Sequence, residues 1–503
     1  MKQGKVYLIG AGPGDAGLIT VRGLQCLRQA QVVIYDNLAG ASLLNEVSPS
    51  ARLIYAGKRA GSHYLKQEET NTLIVRYALE GKTVARLKGG DPFIFGRGGE
   101  EGLALCQNGI DFEVVPGISS SYAVAAYQGI PVTHRTMASS FHVITGHEDA
   151  KKQESVLDYA TLAKEEGTLV FLMGLKNLPN ICAQLIAHGK NPQTPAAVMQ
   201  SGTTARQKMA VGTLETIEAL VKEKGIQTPA ITLIGDVVKL HDSLEWYSKK
   251  PLAGKSVLLT ATKPMADAMA EKLNDLGAQP VTLSLIHTAP ILDAAVEKAF
   301  DQLASYNWIV FTSKNGVELF FDGLKARRMD VRRLAHVKFA VIGDGTAKAL
   351  EAHHIFSDFM PTHFSSQDMA QTWVPGLESG QRVLLLRARE ASKALDQALD
   401  AAGIDYDAVA LYETLYDERK ADELVRTLPL VDAVTFCSAS AVRAFCQMAV
   451  SDEALSLADY LEKLKVQVIC IGPVTESAAR QHGLKVAKTA KTYNIDGIIE
   501  CIK

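Results

Sequence analysis

The chain has 503 residues, of which 47% are hydrophobic and 21% are charged, as expected of a globular protein with about three or four domains. Its formal net charge of −2 provides no basic surface, which argues against a nucleic-acid partner. No apolar run approaches the roughly 20 residues of a membrane span. Strand-like residues begin close to Met1, so we expect no signal peptide and no membrane attachment.

The cysteines and histidines predict neither disulfides nor a metal site. Seven cysteines are scattered without a CxxC pair, which is typical of reduced thiols in a cytoplasmic protein. Twelve histidines include no HExxH or comparable ligand spacing.

Strand-like and helix-like segments alternate along the whole chain, which predicts an α/β fold with largely parallel sheets. The predicted strands of the first half are VYLIG (6–10), VVIYD (32–36), RLIYAG (52–57), TVARLKGG (83–90), FEVVPG (112–117), FHVITG (141–146), TLVFLMG (168–174) and AITLIGDVV (230–238).

The first strand ends in a glycine-rich turn, VYLIGAGPGD (6–15). Its spacing is G-x-G-x-G, whereas a dinucleotide-binding turn reads G-x-G-x-x-G and faces a pyrophosphate. Asp15 would compete with a pyrophosphate for the same amide donors. The turn therefore predicts a nucleotide-like ligand without a diphosphate.

Asp36 ends the second strand about 22 residues later, where a dinucleotide enzyme places its ribose-binding acid. A nicotinamide oxidoreductase therefore remains an alternative. RLKGGDPFIFGRGGEE (86–101) adds a second glycine loop, which such a domain does not need, and Asp91 could accept from an ammonium group or a ribose. The stretch 116–135 adds a third loop of small residues. Several glycine turns that permit close backbone approach suggest a folded ligand that is held from more than one side.

The motifs GAGPGD, VIYD, GKRAG, RLKGGDPFIFGRGGEE, PGIS and GIPVTHR occur in this order and resemble the tetrapyrrole methylases, specifically uroporphyrinogen-III C-methyltransferase, over about residues 3–247. The resemblance implies S-adenosylmethionine as cofactor in place of a nicotinamide. It also implies two α/β lobes with the cofactor between them, and a homodimer. The implied cofactor contacts are Pro13, Gly89, Gly90, Asp91, Ile94, Ser119, Ser120, Met173 and Gly202.

The same resemblance implies a proton acceptor at Asp36 and a proton donor at Lys58. Attack of a pyrrole carbon on a sulfonium methyl leaves a cationic macrocycle, which a carboxylate can stabilise and deprotonate. Arg97 and Arg135 are candidate clamps for substrate carboxylates. The alternatives are that these four are solvated surface residues and that Met173, in TLVFLMG, belongs to the core.

The segment 241–255 interrupts the alternation with charges, Pro and Gly, and SVLLTAT (256–262) starts a new unit. We predict a methyltransferase domain at 1–247, a linker at 248–253 and a second domain at 254–503.

The second domain contains an internal repeat. WIVFTSKNGVELF (308–320) is similar to AVTFCSASAVRAF (433–445), and FAVIGDGTAKAL (339–350) is similar to VICIGPVTESAA (468–479). Two lobes with hydroxyl-rich helix starts would suit a ligand rich in carboxylates. The alternative is that the hydroxyls only cap these helices.

FTSKNGVE, VIGDGTAKAL, VALYET and IGPVTESAA resemble uroporphyrinogen-III synthase over about residues 254–503. The resemblance implies one lobe at about 254–286 plus 417–503, and a second at about 288–411. It places Tyr412 at the cleft as the candidate acid. Thr312, Ser313, Thr346, Ser438 and Thr475 are the candidate carboxylate binders.

Together the two resemblances predict a bifunctional cytoplasmic enzyme without a metal. It would convert hydroxymethylbilane to uroporphyrinogen III and then, by methylation at C2 and C7, to precorrin-2, where this chain should stop. The alternatives are a nicotinamide oxidoreductase, and a methyltransferase with a non-catalytic tetrapyrrole-binding module. Either sirohaem or cobalamin could be the destination of the product.

Overall fold

The computed structural model describes residues 4–36, 41–48, 50–57, 66–146, 157–449 and 455–503. The chain forms two compact units, one made of Met1–Ser284 with Arg419–Lys503 and the other of Leu285–Glu418. Within the described residues, the larger unit contains three five-stranded sheets and the smaller unit contains one. The predicted α/β fold class is confirmed.

The first sheet is wholly parallel, with strand order β3-β2-β4-β1-β5. Strands β1 and β4 are buried along their whole length, as expected of parallel strands that are covered on both faces. Its elements are β1 Val6–Gly10, α1 Val21–Gln29, β2 Val32–Tyr35, β3 Arg52–Tyr55, α2 Gln67–Leu79, β4 Val84–Lys88, α3 Gly98–Gln107, β5 Phe112–Val115 and α4 Ser120–Tyr127.

The second sheet has the order β6-β7-β10-β8-β9 and is mixed, which differs from the predicted parallel arrangement. A short connection joins β8 to β9, and a short connection permits only antiparallel pairing. Its elements are β6 Phe141–Thr145, α5 Tyr159–Lys164, β7 Thr168–Leu172, α6 Leu178–Ala187, β8 Pro195–Gln200, β9 Lys208–Thr213, α7 Ile217–Glu223, β10 Ala230–Ile234 and α8 His241–Leu244.

The segment predicted as a linker is packed against the next domain, because Leu252 is buried and its amide donates to Leu276 O at 2.9 Å. The chain then forms β11 Ser256–Leu259, α9 Lys263–Asp275 and β12 Gln279–Thr282 before it enters the smaller unit.

The smaller unit is built around a sheet of order β13-β17-β16-β14-β15, which is parallel except for β13. Phe311 and Phe320 pack edge to face in its core. Its elements are β13 Ile286–Pro290, α10 Ala294–Asp301, β14 Trp308–Phe311, α11 Lys314–Ala326, β15 Lys338–Val341, α12 Asp344–Ala352, α13 Ser366–Thr372, β16 Arg382–Ala388, α14 Ala394–Ala402 and β17 Asp405–Tyr416.

The chain then returns to the larger unit and completes a parallel sheet of order β12-β11-β18-β19-β20. The elements of this return are α15 Ala421–Thr427, β18 Ala433–Phe436, α16 Ala439–Met448, α17 Leu457–Lys463, β19 Gln467–Cys470, α18 Pro473–Gln481, β20 Val486–Thr489 and α19 Ile495–Ile502. Among the described helices, none has the length and apolar character needed to cross a membrane.

Candidate active sites

The first candidate site lies at the carboxyl edge of the first sheet, where the loops after β1, β4 and β5 meet. The amide of Gly12 donates to Gly90 O at 3.2 Å, and the amide of Gly90 donates to Gly12 O at 2.7 Å. A Cβ on Gly10 would lie 2.5 Å from Gly117 Cα, and a Cβ on Gly117 would lie 2.3 Å from Gly90 O. Side chains at positions 10 and 117 would therefore force the three loops apart.

Gly90 differs from these two glycines because its missing side chain faces open space. Its φ is 68°, and, its two chain neighbours apart, no atom of the described residues lies within 4 Å of the place where a Cβ would stand. The loops therefore form a cradle in which a ligand can approach the backbone of residue 90 closely.

Asp91 joins the second loop to the third. Its carboxylate accepts from Phe93 N at 2.7 Å and from Gly117 N at 2.9 Å. The third loop leads into α4, where the buried Ser119 is the N-cap and accepts from Ser121 N at 3.3 Å. Of the other predicted cofactor contacts, Ser120 is half-buried and Ile94 is exposed.

The segment 201–207 connects β8 to β9 and carries Gly202. Because Gly202 is a predicted cofactor contact, this segment is here called the cofactor loop. A Cβ on Gly202 would lie 2.2 Å from Val124 Cγ1. Ser201 and Thr203 have φ values of 46° and 65°, a left-handed conformation that is uncommon for residues other than glycine. The amide of Asp15 donates to Thr203 Oγ1 at 3.1 Å. The structure therefore brings the loop of Gly202 against the turn that contains Pro13.

The interpretation of Met173 as a core residue is wrong. It follows β7 with a φ of 56°, and 53% of its surface is exposed. Met173 therefore lies outside the core that contains the buried residues of β7.

Asp36 lies at the end of β2 beside a buried ion cluster that our sequence analysis did not identify. The Arg86 guanidinium is 3.4 Å from Asp36 Oδ2 and 3.0 Å from Glu101 Oε1, and Lys88 Nζ is 2.9 Å from Glu101 Oε1. Burial lowers the pKa of Lys88. Arg86 and Lys88 alternate on β4 and therefore share one face, which is the signal that would have indicated the cluster. Lys58 lies outside the described residues.

The two arginines proposed as clamps are exposed at the surface. Arg97 is the N-cap of α3 with a φ of 59°, and its Nε is 3.0 Å from Glu100 Oε1. Arg135 lies in the turn 134–138. The structure does not bring either arginine into contact with the ion cluster.

The second candidate site lies at the carboxyl edge of the sheet of the smaller unit. Tyr412 on β17 is 7% exposed, and its hydroxyl is 2.7 Å from Ser313 Oγ. Burial raises the pKa of Tyr412. Ser313 is also the N-cap of α11 and accepts from Gly316 N at 3.2 Å. The neighbouring turn after β15 leads into α12, which contains the buried Thr346, while Thr312 is half-buried.

The repeat predicted in this domain is confirmed at residue level in the larger unit. Ser438 has the φ and ψ of Ser313, −160° and 157°, and caps α16 by accepting from Ala441 N at 3.2 Å. Thr475 is buried in α18. Ser313 and Ser438 therefore do cap helices, and any substrate contact would be additional to the capping.

The two repeats share one further feature that the sequence did not indicate: an aromatic ring beside the glycine that precedes a helix. In the smaller unit, a Cβ on Gly343 would lie 3.2 Å from the ring of Phe364. In the larger unit, a Cβ on Gly472 would lie 3.1 Å from the ring of Tyr493. Both rings are more than half exposed. A comparison of the two repeats continued beyond residues 350 and 479 would have been needed to find these aromatic residues.

Comparison with known proteins identifies two families in one chain. Residues 5–218 match the family model of the tetrapyrrole (corrin/porphyrin) methylases, and residues 267–500 match that of uroporphyrinogen-III synthase HemD. Both predicted resemblances are therefore confirmed, and the opening glycine turn is that of a methylase.

Three curated relatives extend these matches. Porphyrin biosynthesis protein HemD of Ruminiclostridium josui is 39% identical over 99% of this chain and 98% of its own length. Uroporphyrinogen-III C-methyltransferase of Bacillus subtilis is 45% identical over 66% of this chain and 68% of its own. S-adenosyl-L-methionine-dependent uroporphyrinogen III methyltransferase of Methanosarcina barkeri is 53% identical over 48% of this chain and 94% of its own. The chain thus belongs to the family of the porphyrin biosynthesis protein HemD, and it combines a tetrapyrrole methylase segment with a uroporphyrinogen-III synthase segment.

Proposed function

We propose that this protein is a bifunctional enzyme of tetrapyrrole biosynthesis that closes hydroxymethylbilane to uroporphyrinogen III and then methylates that product at C2 and C7 to give precorrin-2. The observation that carries the proposal is the presence of both family segments in one chain. The product of a synthase of this family is the substrate of the methylase, so the two segments belong to consecutive steps.

The glycine cradle fits S-adenosylmethionine, which supplies the methyl group. Gly90 leaves open space for close approach. Asp15 keeps a carboxylate at the first turn, where it accepts from Gly17 N at 2.8 Å and from the Tyr127 hydroxyl at 2.6 Å. A carboxylate there disfavours a diphosphate but not a sulfonium. The residues proposed to hold the cofactor are Pro13, Gly89, Gly90, Asp91, Ile94, Ser119, Ser120, Met173 and Gly202.

Asp36 is the proposed proton acceptor of methylation. Its side chain is 26% exposed, so a substrate can reach it, while Arg86 holds one of its carboxylate oxygens at 3.4 Å. An oriented carboxylate at this strand end would stabilise the cationic macrocycle and then remove its proton. Lys58 is the proposed proton donor, and Arg97 and Arg135 are the proposed partners of substrate carboxylates.

Tyr412 is the proposed acid of ring closure. The Ser313 hydroxyl fixes the phenol oxygen at 2.7 Å, and the raised pKa keeps the phenol protonated. Tyr412 would protonate the terminal hydroxyl of hydroxymethylbilane, which leaves as water. The cation left behind bonds to the already substituted carbon of the terminal pyrrole ring and gives a spiro intermediate. The older bond at that carbon then breaks and a new bond forms at the free carbon of the same ring, which inverts the ring, and the proton lost from that carbon restores the phenol. These steps are intrinsic to electron-rich pyrroles, so the protein needs mainly to hold the folded chain. The proposed binders of its carboxylates are Thr312, Ser313, Thr346, Ser438 and Thr475.

We also propose that the protein acts in the cytoplasm as a homodimer formed through its methyltransferase segment, as the resemblance to the methylases implies. No metal enters either proposed reaction. Within the described residues, no group of three or more His, Cys, Asp and Glu is placed to hold one.

The full-length protein should be incubated with hydroxymethylbilane, with and without S-adenosylmethionine, and its products identified by mass and by isomer separation. We expect type III uroporphyrinogen without the cofactor and its dimethylated product with it. Type I isomer alone would show that the C-terminal segment only binds tetrapyrroles. Thermal stabilisation by NAD(P) instead of S-adenosylmethionine would favour an oxidoreductase.

A further inference from the structure

We propose that the first synthase lobe (residues 254–284 and 419–503) holds the cofactor loop of the methyltransferase segment in its binding conformation, with Gln279 as the positioning residue. The inference rests on the proposed function, because it takes Gly202 as part of the S-adenosylmethionine site. It assigns to the synthase segment a role in the other reaction, beyond its own ring closure.

The cofactor loop needs support because its backbone is strained. Ser201 and Thr203, on the two sides of Gly202, both have positive φ values. Residues other than glycine keep this conformation only where their surroundings hold it. Within the loop, Thr203 N donates to Gln207 Oε1 at 3.2 Å, and Thr204 Oγ1 donates to Ser201 O at 2.7 Å.

The first synthase lobe supplies two side chains to this loop. The amide of the buried Ala205 donates to Gln279 Oε1 at 2.9 Å, and the guanidinium of Arg206 is 3.4 Å from Asp432 Oδ1. Gln279 and Asp432 are each held within the lobe by a hydrogen bond to its backbone. Gln279 begins β12, and its own amide donates to Lys255 O at 2.8 Å, while Asp432 accepts from Ser256 N at 2.7 Å.

A second connection leads from the same lobe to the first glycine turn. The hydroxyl of Tyr247 donates to Gly277 O at 3.0 Å, and its ring packs against that of Tyr127 with centroids 5.3 Å apart. Tyr127 donates to Asp15 Oδ2 at 2.6 Å. Burial and the Asp15 carboxylate raise the pKa of Tyr127, which keeps this donor protonated. Both loops that meet at Asp15 and Thr203 are therefore linked to residues 277–279.

Cofactor binding and packing of this lobe should consequently be coupled in both directions. If lobe contacts favour the loop conformation that binds S-adenosylmethionine, then bound cofactor must stabilise those contacts by the same factor. Loss of the Gln279 acceptor should weaken ligand binding, since the buried Ala205 amide would lose its partner.

The first test measures binding of S-adenosylhomocysteine to the full-length protein by calorimetry. We expect Gln279→Ala to raise Kd by about 3- to 10-fold, the range of one neutral hydrogen bond. Gln279→Glu keeps an acceptor oxygen and should bind within about twofold of wild type. The methylation kcat at saturating S-adenosylmethionine should stay near wild type while its KM rises. Lys485→Ala is the control, because the exposed Lys485 lies in the same lobe and pairs with Glu462 of that lobe, and not with the methyltransferase segment.

The second test is hydrogen exchange of the wild-type protein with and without S-adenosylhomocysteine, which does not depend on any variant folding. We expect protection of the amides at 277–282 as well as those of the cofactor loop. Unchanged exchange at 277–282, or an unchanged Kd for Gln279→Ala, would overturn the inference. Normal binding by Gly90→Val would overturn the proposed pocket itself, and the inference with it.

Discussion

At the scale of single residues, Asp36 and Tyr412 share one arrangement: each proposed reactive group lies beside a polar neighbour that can orient it. Arg86 lies 3.4 Å from the Asp36 carboxylate, and Ser313 lies 2.7 Å from the Tyr412 hydroxyl. Such partners orient a group before the substrate arrives, which is a large part of what an acid or base contributes. Substitutions that preserve shape should therefore separate chemistry from binding.

Asp36→Asn should slow methylation of supplied uroporphyrinogen III by roughly 10²-fold, since it removes the charge and the proton acceptor. Its affinity for S-adenosylhomocysteine should stay near wild type, because asparagine has nearly the same shape. The exposed Asp111→Asn serves as control. Unchanged turnover together with altered NAD(P) binding would instead make Asp36 a ribose ligand.

Tyr412→Phe should lower the rate of ring closure by roughly 10- to 10³-fold, within the range of one acid or positioning group, and release more type I isomer. Tyr406→Phe, on the same strand, is the matched control. Since burial raises the pKa of Tyr412 above its ordinary value of 10.0, deprotonation of this group should cause no loss of wild-type activity up to that pH. If Tyr412→Phe and Tyr406→Phe close the ring at the same rate and give the same amount of type III product, Tyr412 takes no part in the mechanism.

At the scale of elements, Glu101 connects α3 to β4. It is 1% exposed and lies between Arg86 and Lys88, both of which are buried. Among the residues that the structure describes, its second oxygen has no hydrogen-bond partner. Removing one member of a buried ion cluster leaves charge without compensation, which costs more than the loss of an exposed pair.

We therefore expect Glu101→Ala to lower the free energy of unfolding by about 3–5 kcal/mol, measured by urea denaturation. Glu100→Ala is a matched control, because the neighbouring Glu100 side chain is 51% exposed and should change stability by less than about 0.5 kcal/mol. Similar losses in both variants would show that the buried cluster contributes no special stability.

Elements that depend on residues close together in the sequence were predictable, whereas contacts between residues far apart in the sequence were not. Glycine turns after strands, and repeated hydroxyls at helix starts, follow from backbone chemistry within a few residues. The alternation of Arg86 and Lys88 in VARLK places two cations on one face of a buried strand, but it does not identify their partner Glu101, which lies 15 positions after Arg86. Met173 is exposed and has a left-handed φ, and the apolar pattern of TLVFLMG indicates neither. The bond of Ala205 to Gln279 joins residues 74 positions apart.

At the scale of the whole molecule, the residues proposed for the cofactor lie in the larger unit, whereas Tyr412 and Ser313 lie in the smaller one. The two reactions should therefore be separable by substitution. A change confined to the glycine cradle should affect methylation alone.

Gly90→Val should abolish methylation, because its side chain would fill the open space at the cradle and would strain a backbone with a φ of 68°. Given hydroxymethylbilane and S-adenosylmethionine, this variant should accumulate unmethylated type III uroporphyrinogen at the wild-type rate of ring closure. Loss of ring closure as well would show that the variant has unfolded or that the sites are not independent.

The smaller unit is inserted between two halves of one sheet, and this has a consequence for synthesis on the ribosome. Ser256, at the start of β11, bonds to Asp432, which lies 176 positions later in the chain. Such distant pairing gives a high contact order and slow folding. Until β18 emerges, β11 presents an open edge to other chains, and such edges are where aggregation begins. Folding of the inserted unit pairs Ile286 with Tyr416 and so brings its two ends together, which would shorten the search of β18 for β11 once β18 has emerged.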